Sequence, residues 1–355
     1  MFLSHSRPRP LFPAWLAFWL ATAAAAGETA APPPKPQAGV TTCADTLQAL
    51  RDPDPKINEA LQAYNFPADP FAWQMRQIGE TEFCTVHHLT FPSPVHWPTA
   101  ETNTVHGEYY LPRTIHGKAP AVVVLHILDE RFILERVICS TFAAGGVPSL
   151  LMQLPYYGER RPEGTSLRQT FTADPGRILK AMEGAALDCR RAACWLQKRP
   201  EVDPRRIGLV GVSLGAVTGA LVVAVDPRFS RNALILGGGD PAGILWHAPE
   251  TAGVRARFVE LGLDLADLRQ LARGADPILF GKRVNPKQVL MMNALDDETI
   301  PRRYTDALWE AFGKPAIHWY PAGHYSMALF IPAILPIALD FVASAPADRE
   351  RPQVK

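Results

Sequence analysis

Gly211, Ser213 and Gly215 occupy alternating positions in "RIGLVGVSLGAVTGA" (206–220). A serine hydroxyl attacks a carbonyl only when a base takes its proton and an acid orients that base. A serine lifted on a tight turn between a buried strand and a helix needs very small residues two positions to either side. Gly211 and Gly215 meet that demand. The competing reading is an ordinary small-residue helix start, and the rest of the chain must separate the two. If base follows acid and acid follows nucleophile, two histidines are available, His318 and His324. His318 lies inside the strand pattern "AIHWY", whereas His324 follows the loop signature "YPAG", where a side chain can reach over a sheet. His324 is the base chosen here. In "VLMMNALDDETIP" two acids follow an apolar run directly, and Pro301 opens the next helix. Asp297 is preferred, Asp296 is the alternative, and either one could instead serve only as a helix cap.

Those side chains need a scaffold that brings strand ends together. From residue 83 onward, apolar runs of strand length alternate with helical patterns. Segments 83–91 and 104–112 read as antiparallel strands, and the unbroken apolar run 121–126 as a central strand covered on both faces. Further strands are expected at 147–155, 205–212, 232–238, 287–295 and 316–323. Helices are expected at 131–145, 174–200, 213–225, 301–312 and 325–343. This alternation implies an α/β fold with a mostly parallel central sheet, helices on both faces, and a ligand site at the carboxyl ends of the strands. The stretch 237–285 is a cap insert. Its helical pattern over 254–274 carries an apolar stripe of Val254, Phe258, Leu261, Leu265 and Leu268, which is expected to cover the site as a lid.

The chain of 355 residues is 47% hydrophobic, enough for one large core, and its formal charge of +1 argues against nucleic acid or an anionic membrane surface as a partner. Residues 1–26 read as a cleaved signal peptide: Arg7 and Arg9 precede an apolar stretch that Pro13 interrupts, and small residues close it. The stretch is shorter than the ~20 residues that span a bilayer, so a secreted or periplasmic protein with no stable span is expected. Residues 27–82 form a Pro-rich tether and N-terminal arm, 83–345 the catalytic domain, and 346–355 a tail. Five cysteines leave at least one unpaired. A Cys43–Cys84 bond would pin the arm, Cys189 and Cys194 lie too far apart along a helix to join, and the remaining thiols read as buried and free.

The stretches "VDPRRIGLVGVSLGA", "NALDDETIP" and "AGHYSM" resemble the nucleophile elbow, acid loop and histidine loop of the α/β-hydrolase fold. The resemblance spans residues 83–343 and is to dienelactone-hydrolase-like and acetyl-xylan-esterase-like bacterial serine hydrolases. It implies Ser213 as nucleophile, Asp297 as acid and His324 as base. It also implies an oxyanion hole built from the Leu214 amide and a second amide after the third strand. There, in "LHILDER", His126 matches the histidine of the family's His-Gly loop and Ile127 replaces the glycine, so Ile127 or Leu128 donates.

The loop "LPYYGERRP" (154–162) follows a strand and should also lie near the site. Tyr156, Tyr157 and Arg160, with His126, are candidate substrate contacts, and a rigid loop with paired arginines is the alternative. The expected activity is cleavage of a small-molecule or carbohydrate ester through an acyl-enzyme, with no cofactor. A peptidase or acyltransferase would use the same groups, and a catalytically silent binding protein is the alternative of another class. His96, His106, His116 and His126 recur every ten residues without paired ligand spacing, so no metal is expected. "GGGD" (237–240) lacks the rest of a phosphate-binding signature.

Overall fold

The computed structural model describes residues 36–174 and 176–345. The expected signal peptide, the start of the tether and the tail lie outside the described residues. The strands are β1 (Gln37–Thr41), β2 (Phe71–Glu80), β3 (Cys84–Pro92), β4 (Thr104–Pro112), β5 (Ala119–Leu125), β6 (Ser149–Met152), β7 (Val202–Val212), β8 (Phe229–Ile235), β9 (Val289–Ala294) and β10 (Ala316–Tyr320). They form a single sheet in the order β1-β2-β3-β4-β6-β5-β7-β8-β9-β10. β1 to β4 pair antiparallel, as do β4 and β6, and the remaining pairs are parallel. The α-helices are α1 (Pro55–Leu61), α2 (Ile133–Ala144), α3 (Leu167–Ala173), α4 (Arg177–Gln197), α5 (Leu214–Val225), α6 (Pro241–His247), α7 (Ala252–Glu260), α8 (Leu265–Leu271), α9 (Arg302–Ala311) and α10 (Ile331–Ala343).

β5 shows why the sheet is covered on both sides. Ala121, Val123 and Leu125 enter one core with Ala186, Cys189 and Ala193 of α4 and Ala216 and Ala220 of α5. Val122 and Val124, pointing the other way, enter a second core with Ile138 and Phe142 of α2 and Ile334, Leu335 and Ala338 of α10. Side chains alternate across a strand, so an all-apolar strand must have an apolar neighbour on each face. With the turn before it, α10 is long and apolar enough to cross a bilayer (Ser326–Ala343, mean hydropathy 2.0), but it lies against β5, β7, β8 and β9. β5 is flanked by β6 and β7, so the chain leaves β5 in one direction and returns on the other. A crevice opens at such a switch point, at the carboxyl ends of the strands.

Three expectations need correction. The hydrolase unit does not begin at 83, because β1 and β2 from the N-terminal arm extend the sheet. The disulfide joins Cys43 to Cys194, with Cα atoms 5.3 Å apart, and not to Cys84. Cys43 and Cys194 belong to the core on one face of the sheet and Cys84 to the core on the other, so the sheet itself stands between Cys43 and Cys84. Cys84, Cys139 and Cys189 are free and buried. Finally, the helix expected over 254–274 is two helices. Gly262 takes φ +75, the Leu263 amide reaches back to the Phe258 carbonyl, and Asp264 opens α8 with a capping box to Asp267. Of the stripe, Val254, Phe258 and Leu268 are buried, while Leu261, just past the end of α7, is exposed.

Candidate active site

Ser213 sits between β7 and α5 at φ 52, ψ −114, a conformation that costs a non-glycine residue strain energy. Its two glycines are required by contact. A Cβ on Gly211 would lie 2.2 Å from the Gly215 carbonyl oxygen, and a Cβ on Gly215 would lie 2.2 Å from the carbonyl oxygen of Leu125. The second contact presses the elbow against the end of β5, which is where the loop proposed to complete an oxyanion hole begins.

Ser213 Oγ lies 2.9 Å from His324 Nε2. His324 Nδ1 lies 2.9 and 2.8 Å from the two carboxylate oxygens of Asp297. A carboxylate accepts only, so Nδ1 carries the proton and Nε2 presents its lone pair to the serine hydroxyl. Asp297 also accepts from the amides of Thr299 and Ile300, at 3.0 and 2.7 Å, which fixes its orientation. Glu298 accepts from the His324 amide at 3.3 Å. Asp297 and His324 are both buried, whereas Asp296 is exposed and its amide is tied to the Ala322 carbonyl. The one-residue choice between the acids therefore falls on Asp297 by geometry. His318 is an exposed strand residue of β10.

Leu214 opens α5, where a helix leaves its first amides without internal acceptors. The Ile127 amide is already engaged, because Glu135 of α2, fully buried, accepts from it at 2.9 Å. Burial pushes the Glu135 carboxyl up from its usual range. Among the described residues no acceptor meets the amide of Leu214 or Leu128, so of the two candidates after β5 Leu128 is the one left able to donate.

The four residues read as substrate contacts lie in the interior. The Leu154 amide donates to His126 Nε2 at 3.0 Å, so the His126 Nδ1–H donates to the Ile127 carbonyl at 2.7 Å. Burial lowers the His126 pKa to about 4, which keeps the ring neutral as a bolt between the loops after β5 and β6. Tyr157 packs edge-on against that imidazole, with ring centroids 4.8 Å apart. Tyr156 packs against Trp97 and under the Arg177 guanidinium. Arg160 pairs with the buried Asp188 at 2.8 Å and donates to the carbonyls of Gln153 and Thr102. Arg161 pairs with Glu130. The loop is rigid scaffold. Buried charges need partners, and these have found them within the protein.

Glu250, on the turn before α7, was not foreseen. Its carboxylate accepts from the hydroxyl of Thr299, at 3.0 Å, and from that of Tyr325. The insert thus reaches the loop of Asp297 and the loop of His324 together. Nothing near Glu250 in sequence announces this, because its partners lie 49 and 75 residues away. Two surface cavities, of about 450 and 550 Å³, lie elsewhere, at Asp240–Tyr304 and at Glu130–Glu159, and neither is lined by Ser213, Asp297 or His324.

The model of the family "Alpha/beta hydrolase domain containing 18" matches residues 48–236. An uncharacterized protein of Mycobacterium tuberculosis is 26% identical over 192 residues, covering 50% of this chain and 42% of its own length. The chain thus spans less than half of the curated relative it matches. Among solved structures, acetyl xylan esterase 1 from Thermoanaerobacterium sp. JW/SL YS485 is similar at TM-score 0.60 and 20% identity, covering 84% of this chain and 96% of its own. The acetyl xylan esterase from Paenibacillus sp. R4 is similar at TM-score 0.63 and 16% identity, over 83% of this chain and 96% of its own. At such identities the likeness is one of fold: the α/β-hydrolase fold.

Proposed function

This chain belongs to the alpha/beta hydrolase domain containing 18 family, and from that premise we propose that it is an exported serine hydrolase cleaving the carboxylic ester of a small molecule or carbohydrate. The observation that carries the reading is the continuous Ser213–His324–Asp297 relay, 2.9 and 2.8 Å at its two links, with the serine held at positive φ. Ser213 Oγ attacks the ester carbonyl as His324 Nε2 takes its proton, and Asp297 stabilises the imidazolium that forms. The amides of Leu214 and Leu128 receive the negative charge on the carbonyl oxygen. His324 then returns the proton to the departing alcohol, leaving an acyl group on Ser213. Water, activated by the same imidazole, releases the acid and restores the serine. The choice of ester follows the two solved structures of like fold, which are acetyl xylan esterases by name. Export is supported by the apolar N-terminal run and by the Cys43–Cys194 bond, which an oxidising compartment maintains.

In this reading the insert acts as a lid through Glu250, and its bonds to Thr299 and Tyr325, on the loops of Asp297 and His324, support that role. Its later part is core: Phe258, Leu268 and Phe280 are buried, so wholesale removal would unfold the protein. Glu250→Gln is the usable probe, with a several-fold change expected in the ratio of p-nitrophenyl acetate to p-nitrophenyl octanoate turnover. An unchanged ratio makes the insert structural. For the activity itself, fluorophosphonate labelling of the purified protein should modify Ser213 and no other serine. A label mapped elsewhere, or ester turnover that survives complete labelling, would falsify the assignment.

A further inference from the structure

His88 on β3 and His106 on β4 are diagonal neighbours: His88 stands opposite Glu108, two residues from His106 on the same face. Diagonal pairs of this kind are within reach of long and ring side chains. Glu159 arrives from the turn after β6, brought there because the Gln153 amide donates to the His106 carbonyl at 2.9 Å. Gln153 then holds Glu159 twice, accepting from its amide and donating to its carboxylate. His88 Nε2 lies 3.2 Å from His106 Nδ1 and 3.2 Å from one Glu159 carboxylate oxygen, and His106 Nδ1 lies 3.2 Å from the other. One donor from each of the three residues thus falls within 4.8 Å of the others.

These contacts are longer than a charge-assisted ion pair and close to the spacing of donors around a metal. Hydrogen bonds between an imidazolium and a carboxylate contract to about 2.7–2.9 Å. A tetrahedral ion with bonds of about 2.0 Å holds neighbouring donors about 3.3 Å apart. We propose that His88, His106 and Glu159 form a binding site for a divalent transition metal, zinc above all, with solvent completing the coordination. Two imidazoles and one carboxylate are a donor set zinc uses when one position stays open. The histidine side chains are 19% and 17% exposed and Glu159 is 53% exposed, so water reaches that position. The Gln153 amide supplies the outer support that orients ligating carboxylates. The site lies on the carboxyl side of β6, and β4 is three strands from β7, about 14 Å at the usual strand spacing, so the ion would not touch Ser213. Its effect would be to tie β3 and β4 to the 153–161 loop.

The test is calorimetric titration of the chelator-treated full chain with zinc chloride, together with the visible spectrum of the cobalt-loaded protein. The expected result is one zinc per chain, the intense absorption of four-coordinate cobalt, and a melting temperature that rises with zinc. Glu159→Gln should weaken zinc at least ~10-fold and His88→Gln more, while the metal-free melting temperatures stay near that of the parent. If His88→Gln does not fold, the half-exposed Glu159→Gln carries the test alone. Failure of the parent to bind zinc at micromolar concentration overturns the proposal. So does undiminished binding in the variants, which would place the ion elsewhere.

Discussion

Two loops leave the carboxyl edge of the same sheet, one after β7 and one after β6, and both carry residues that look reactive. The first offers Ser213, half-exposed, strained and in contact with an unprotonated imidazole nitrogen. The second offers Tyr156, Tyr157 and Arg160, all buried and packed within the protein. The difference lies in what each polar group faces. A guanidinium enclosed with a carboxylate and two carbonyls is shut off from substrate by its burial, whereas a half-buried serine facing its base is not. Residue type near a strand end is therefore a weak sign of chemistry, and a polar group left accessible beside a base is a stronger one.

Substitutions can break this contrast. Ser213→Ala should lower kcat/KM for p-nitrophenyl acetate by ~1,000-fold or more, with an unchanged circular dichroism spectrum, since only binding and oxyanion effects remain. Activity near that of the parent would put the chemistry elsewhere. Next, Asp297→Asn should cost on the order of 1,000-fold in kcat by disturbing the His324 tautomer, whereas Asp296→Asn should cost less than ~3-fold. A reversed ranking would transfer the orienting role to the exposed neighbour. In the second loop the readout changes from rate to stability. Arg160→Met strands the Asp188 carboxylate in the interior and should destabilise by about 3–5 kcal/mol in urea titrations, with kcat per folded molecule preserved. A large drop in kcat at full folding would return Arg160 to the substrate. The smallest effect belongs to Tyr157→Phe. Its hydroxyl is buried with no hydrogen-bond partner among the described residues, so its loss should shift stability by less than ~1 kcal/mol and leave KM unchanged. A raised KM would mean the ring meets substrate after all.

Much of this follows from short stretches. "GVSLG" must be a tight turn with small flanks because Cβ atoms at 211 and 215 would overlap backbone 2.2 Å away. "VLMMNALDD" must end a buried strand beside an acid, and "AGHYSM" must be a loop before a helix. Strand β4 falls on the expected 104–112 and β5, β7 and β9 within three residues of expectation, because an apolar run bounded by turn residues encodes its own ends. β2 is different. Its sequence, "FAWQMRQIGE", alternates buried and exposed at the outer part of the sheet, but the Pro-rich stretch before it disguised it as part of an arm.

The sequence by itself thus singled out the candidate nucleophile, the candidate base and the neighbourhood of the candidate acid, because those depend on sterics and periodicity over a few residues. Tertiary structure alone decided the rest. Which face of the sheet holds Cys43, and hence its bond to a cysteine 151 residues away, follows from strand order. The loss of the Ile127 amide to Glu135 and the closing of the Arg160–Asp188 pair follow from which helix lands over which loop. The meeting of His88, His106 and Glu159 follows from β4 pairing with β6. Each of these joins groups by packing rather than by chain connection, and no local pattern encodes which partner a buried polar group will find.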